Sequence, residues 1–229
     1  MRSVLVVPTD LAVESQATAM VDRTLEHFGR IDVLINNAGY AKPIGSDALD
    51  PVQTRRSIEI HLIAAMVATR RALPSMLRQG HGHIINVCSP SGMLGVPMLA
   101  DYTASKAAMI GWTRALQAEW LGTEITVTEY EPGLIDTEFG RSGDASQASR
   151  EDRPSGGTGP LAALSPEHVA GQLVDCVRRP RSLMYSNFQT RMLCWMLESV
   201  RFRHLIGSRI GRAQRKHLGL SVFSIDRDS

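Results

Sequence analysis

The chain has 229 residues, enough for one α/β domain with a substantial core. Hydrophobic residues make up 43% and charged residues 21%, which argues against disorder and against a membrane core. The net charge of +2 gives no global reason to expect nucleic acid. Three cysteines, Cys88, Cys176 and Cys194, are far apart and lack metal-ligand spacing, so neither a disulfide framework nor a zinc site is expected. The apolar stretch in Met1–Pro8 is too short for a signal peptide, and a cytoplasmic location is expected.

In chain order, the predicted elements alternate between short apolar runs and helical patterns. This is the signature of βαβ units and a parallel sheet. Strands are predicted at Val4–Val7, Val33–Asn36, His83–Cys88, Ile125–Tyr130 and Leu183–Tyr185. Helices are predicted at Ser15–His27, Pro51–Arg78, Tyr102–Leu121, Pro166–Arg178 and Phe188–Leu218. Ser165-Pro166-Glu167 carries a capping serine, a first-turn proline and an acid at the positive dipole end. The stretch Gly140–Gly159 is rich in Gly, Ser, Asp and Arg, and reads either as a mobile lid, reaching to residue 165, or as disorder. Residues 1–187 read as one catalytic domain and 188–229 as a basic helical tail.

Ser89, Tyr102 and Lys106 are the informative set. Ser89 follows a predicted strand, at the end where ligands bind in open parallel sheets. Tyr102 and Lys106 are i and i+4 on a helix and share a face. A free tyrosine has a pKa of about 10 and is a poor acid or base near neutrality. An ammonium one turn away stabilises phenolate, so the tyrosine could exchange the proton of a carbonyl/alcohol pair while hydride moves elsewhere. Ser89 would hold the substrate oxygen.

Around this set stand Asp10-Leu11, the run Phe28–Ile35 leading into Asn36-Asn37-Ala38-Gly39, Ile84–Ser89, Tyr102-Thr103-Ala104-Ser105-Lys106, and Pro132-Gly133 with Thr137. With these motifs the chain resembles the short-chain dehydrogenase/reductase family from about Val4 to Arg181. The resemblance implies a Rossmann-type doubly wound parallel sheet in three α/β/α layers. It implies an NAD or NADP cofactor, an alcohol/carbonyl substrate and a homodimer or homotetramer. It places Asp10 and Leu11 at the adenine, and Asn36, Ala38 and Gly39 along the cofactor. It puts Tyr102 and Lys106 at the nicotinamide ribose, and Pro132, Gly133, Ile135 and Thr137 near the nicotinamide.

Two departures from the family pattern stand out. The initial strand, glycine-rich turn, helix and second strand do not occur, about 50–60 residues at ~30 per βα unit. The fold is therefore expected to be N-terminally truncated, or else Val4–Val7 re-pairs with Val33–Asn36. A non-enzymatic chain that keeps the oligomer interface but not the cofactor is the rival reading. Second, the family's helix asparagine, which orders a relay water, is replaced in Ile60-His61-Leu62-Ile63-Ala64. His61 could hold the same water and would titrate near neutral pH.

Cys88 reads as a buried strand cysteine rather than a nucleophile. Met93, Leu94, Val96, Met98 and Leu99 border the expected pocket and hint at an apolar substrate. The His81–His83 pair reads as a solvated turn, not a metal site. From Phe188 onward there are eight Lys/Arg against three Asp/Glu, a net of +5. This tail is expected to pack on the domain or a sister subunit; peripheral membrane contact is the less favoured reading.

Overall fold

The structure is a computed structural model, described here for residues 3–137 and 163–198. Four parallel strands, β1 (Val33–Asn36), β2 (Gly82–Val87), β3 (Ile125–Glu131) and β4 (Leu183–Tyr185), lie in the order β1-β2-β3-β4. The register sets Asn36 beside Asn86 and Val87 beside Tyr130, so the strands end together at one rim. Helices α1 (Glu14–Phe28), α2 (Pro51–Ile58), α3 (Ala64–Gln79), α4 (Ser91–Leu94), α5 (Ala100–Glu119), α6 (Pro166–Arg178) and α7 (Phe188–Leu197) complete the described elements.

Strand alternation sorts the core into two halves. Ile84, Ile125 and Val127 pack against Val21 of α1, Ala68, Ala72 and Met76 of α3, and Leu116 of α5. The residues pointing the other way, Ile85, Val87 and Tyr130, meet Val169 and Cys176 of α6. This is the expected three-layer α/β/α arrangement. The sheet grows in one direction while α6 changes face, so the β3–α6–β4 crossover has the opposite hand to its predecessors. Such crossovers depart from a strong right-handed preference.

Three expectations are corrected. Val4–Val7 forms no strand and pairs with nothing in the sheet; Val4 is 82% and Val6 76% exposed. It has no described strand to extend, and β1 keeps an open edge on that side with Ile35 40% exposed. The single helix expected over Pro51–Arg78 is interrupted by a π-helical turn at Glu59–Ile63, where the Ala64 N–H donates to Glu59 O. Finally, His83 is not in a solvated turn. It lies in β2, 5% exposed, and its Nε2 is 2.7 Å from Thr128 Oγ1.

The caps explain why other boundaries fall where expected. Asp50 accepts the Val52 N–H before Pro51, and Ser165 accepts the His168 N–H before Pro166. Helix α1 ends on Gly29 and α3 on Gly80, both in the left-handed region. Helix α7 buries Thr190, Cys194 and Leu197. Its N-terminus meets the turn after β3 so closely that a Cβ at Gly133 would lie 2.7 Å from Thr190 Oγ1. The tail predicted beyond Glu198 lies outside the described residues, as does the lid. Near the ends of the undescribed stretch the chain is joined: Ile135 pairs with Leu164, and Asp136 N–H donates to Leu164 O at 2.9 Å.

Candidate active site

Ser89 leaves β2 at the strand rim and α5 returns beside it. Gly92 in α4 lets the two segments touch: a Cβ there would lie 2.7 Å from backbone atoms of Lys106 and Ala107. This approach brings the Ser89 and Ser91 side chains to the Tyr102 hydroxyl, which hydrogen-bonds with both. The Ser91 hydroxyl also donates to Ser89 Oγ at 2.8 Å. The Lys106 ammonium lies 5.8 Å from the Tyr102 ring centroid and donates to the Val87 carbonyl at 2.7 Å. Tyr102 is 8% and Lys106 4% exposed. The three residues named from spacing are therefore together. Ser91 belongs with them and went unnoticed in the sequence, although it stands two positions after Ser89 in a serine-rich turn.

The electrostatics differ from the expectation that Lys106 lowers the Tyr102 pKa. Burial raises it first, against the lowering hydrogen bonds from Ser89 and Ser91. Burial also lowers the Lys106 pKa. Both groups sit away from water, and each charge is costly there. Cys88, 2% exposed, has its thiol pKa pushed up by burial, which fits an inert strand cysteine.

His61 occupies the π turn with both ring nitrogens engaged. Nε2 accepts the Tyr40 backbone N–H at 2.9 Å. That donor fixes the proton on Nδ1, which lies 3.1 Å from Ser105 Oγ and 3.2 Å from Ser57 Oγ. Ser105 in turn donates to the Tyr102 carbonyl at 2.8 Å. The expectation of a ring titrating near neutrality fails: burial, then the Lys106 charge, pushes its pKa down to about 4. His61 joins the Asn36-Asn37-Ala38-Gly39 turn to α5 as a neutral latch. Neither Tyr40 nor Ser105 had been singled out, because neither shows a motif spacing toward His61.

Glu131 was also missed. It ends β3, is fully buried, and neither carboxylate oxygen has a hydrogen-bond partner. Burial and the neighbouring Glu129 carboxylate push its pKa up to about 8. Glu129 itself is held by Arg114 through two hydrogen bonds of 2.8 and 2.9 Å.

The expected cofactor residues divide. Asn36, with its amide 2.8 Å from Asn86 Oδ1, braces β1 against β2. Leu11, Asn36 and Ala38 line a cavity of about 140 Å³ beside β1, together with Leu34, Ala64 and Ala68. Asp10 pairs with Arg56 at 3.1 Å. Gly39, Pro132, Gly133, Ile135 and Thr137 follow the ends of β1 and β3 at the same rim as Ser89. Gly133 has φ +73°, a conformation that favours glycine. These positions share the rim with Ser89, whereas no glycine-rich turn into a helix stands beside β1 among the described residues. No cluster of three metal-ligating side chains occurs among them.

A family model described as "short chain dehydrogenase" matches residues 1–148. A ketoacyl reductase, HetN, of a Nostoc species is 36% identical over 176 residues, covering 76% of this chain and 58% of that protein. An uncharacterized oxidoreductase of Staphylococcus saprophyticus is 31% identical, covering 75% of this chain and 68% of its own. The chain thus spans little more than half the length of the first relative. Among solved structures, a Burkholderia cenocepacia short chain dehydrogenase in complex with NADP superposes with a TM-score of 0.69 at 23% identity. That match covers 90% of this chain and 80% of the other, and it supports the fold.

Proposed function

Since the chain belongs to the short-chain dehydrogenase family, we propose that it carries the catalytic half of an NAD(P)-dependent oxidoreductase interconverting an alcohol and a carbonyl. The observation that carries this reading is the Tyr102 hydroxyl, hydrogen-bonded by Ser89 and Ser91 with the buried Lys106 one helical turn away. A bound nicotinamide cofactor supplies or accepts the hydride. The chain's own part is proton transfer and positioning. Tyr102 gives or takes the proton at the substrate oxygen. Ser89 donates to that oxygen and fixes its distance from Tyr102. Lys106 holds its charge beside the phenol, which favours phenolate at the moment the proton leaves. His61 acts at one remove, holding the β1 turn and the Tyr102 backbone in register.

Asp10, Leu11, Asn36, Ala38, Gly39, Tyr102, Lys106, Pro132, Gly133, Ile135 and Thr137 are the proposed cofactor contacts. A small apolar substrate fits the partly buried Met93, Leu94 and Met98 beside Ser89. We assign residues 1–187 to the catalytic domain and the lid to residues 140–165. A homo-oligomer through α3 and α5 is supported by the exposed small residues Ala104, Ala107, Ala108, Gly111 and Ala115 along α5. Three buried free cysteines support a reducing, cytoplasmic setting. No described helix is long and apolar enough to cross a membrane.

The test is turnover by the full chain of NADPH or NADH with a panel of ketones and 3-oxo thioesters, followed by absorbance. Activity that disappears in Tyr102→Phe and falls in Ser89→Ala supports the reading. Cofactor binding at micromolar concentration without any turnover refutes the catalytic assignment. Failure to bind either cofactor would instead favour the idle chain that keeps only the oligomer interface.

A further inference from the structure

Ser91 stands at the candidate site, and the proposed proton transfer gives it no part. It begins α4 two residues after Ser89, with Pro90 between them at φ −54° and ψ −22°. That turn folds Ser91 back on its neighbour. Its backbone N–H donates to Ser89 Oγ at 3.3 Å, and its hydroxyl donates to the same oxygen at 2.8 Å. A hydroxyl oxygen has two lone pairs and one proton. Ser91 therefore occupies both lone pairs of Ser89 and leaves that residue only its proton to give.

The Tyr102 hydroxyl is hydrogen-bonded with both serine side chains. With Ser91 donating to Ser89, the sense of the other two contacts follows, since each oxygen has one proton to place. Ser89 donates to Tyr102, and Tyr102 donates to Ser91. The three hydroxyls form a ring that runs in one direction. Gly92 keeps it closed, because a Cβ there would meet the backbone of Lys106 and Ala107. Without the Ser91 hydroxyl, a lone pair of Ser89 is open to the Tyr102 proton. The phenol then gives to a serine the proton that a substrate oxygen needs.

We propose that Ser91 is a positioning residue that makes Ser89 an obligate donor. A substrate oxygen entering the ring then meets two donors, Ser89 and Tyr102, and no competing acceptor on Ser89. Ser89 and Tyr102 turn their protons to that oxygen, while Ser91 stays on Ser89. The part played by a substrate oxygen rests on the oxidoreductase reading, whereas the ring and its direction do not.

The experiment substitutes 3-fluorotyrosine for Tyr102 in the full chain and follows the fluorine resonance against pH. Turnover of NADPH or NADH with ketones is measured on the unlabelled chain. Ser91→Ala lowers the acid dissociation constant of the phenol about threefold or more, as expected for one hydrogen bond lost from the donors behind it. In the turnover assay kcat falls by a similar factor or more, and KM changes less. Ser91→Thr keeps a hydroxyl and restores both values. In a Ser89→Ala background, Ser91→Ala moves the phenol less than half as far, because Ser91 acts mainly through Ser89. Two results would overturn the proposal, with or without turnover: a phenol that titrates at the same pH in Ser91→Ala, or a shift of equal size with and without Ser89. A shifted phenol in a chain that turns nothing over supports the ring and counts against the oxidoreductase reading alone.

Discussion

The His61 imidazole lies 3.1 Å from the Ser105 hydroxyl, 44 residues later in the chain. Through that contact the π turn touches the helix that carries Tyr102. The same ring accepts the Tyr40 N–H from the turn after β1. One neutral side chain thus ties three segments around the candidate site, and its removal has a defined consequence. His61→Leu leaves the Tyr40 N–H without its acceptor and takes the Nδ1–H donor from Ser105, whose hydroxyl keeps the Tyr102 carbonyl, and costs about 2–3 kcal/mol in chemical denaturation. His61→Asn keeps an acceptor and loses less than about half of that.

The same residue gives a pH dependence. Its folded pKa, about 4, is below its unfolded value of 6.5, so the unfolded state binds the proton more tightly. Full stability is present above pH 6.5 and is lost as pH falls toward 4, by at most ~3 kcal/mol at 1.36 kcal/mol per unit. His83, also pushed down to about 4, acts in the same direction. The wild-type minus His61→Asn difference in unfolding free energy isolates the His61 share. A difference that stays flat from pH 7 to pH 4 contradicts the latch.

Glu131 works with the opposite sign. Its folded pKa of about 8 exceeds the unfolded 4.5, so its contribution is most favourable below pH 4.5 and is lost as pH rises through 8. Glu131→Gln has the same shape without the charge. It is expected to be more stable than wild type by several kcal/mol at pH 9, with little difference at pH 5. Urea titrations at both pH values measure this.

Arg114 and Glu129 form a two-point ion pair in which the acid is 2% exposed. Arg114→Met leaves Glu129 charged and buried, next to Glu131. A loss of roughly 3–5 kcal/mol is expected. Adding Glu129→Gln to Arg114→Met should recover most of it, as read by melting of the single and double variants.

Gly92→Ala tests how the serines reach Tyr102. The new Cβ would meet α5 backbone, which cannot move as a side chain can. Helix α4 must lift away, at a cost of about 1–3 kcal/mol, and the Ser89 and Ser91 hydrogen bonds to Tyr102 lengthen. Those bonds lower the Tyr102 pKa, so it should rise further in the variant. The phenolate absorbance of wild type and variant, each corrected with its Tyr102→Phe counterpart, gives the shift.

The sequence by itself determined the parallel α/β order, most element boundaries and the Ser89, Tyr102 and Lys106 set. These follow from local signals: apolar runs of strand length, capping serines and prolines, and an i, i+4 spacing that needs only a helix to share a face. Only the tertiary structure decided the rest. Val4–Val7 has strand composition, but a strand exists by pairing, and no described neighbour pairs with it. His61 looked like a group titrating near neutral pH, whereas burial and three contacts from distant segments make it a neutral latch. Ser91 and Glu131 carry no spacing signal. Their importance comes from α4 pressing on α5 and from a strand end enclosed without hydrogen-bond partners. Likewise the pattern of α7 showed that the helix is apolar, but only packing decided which of its two apolar faces the domain covers and which it leaves to solvent.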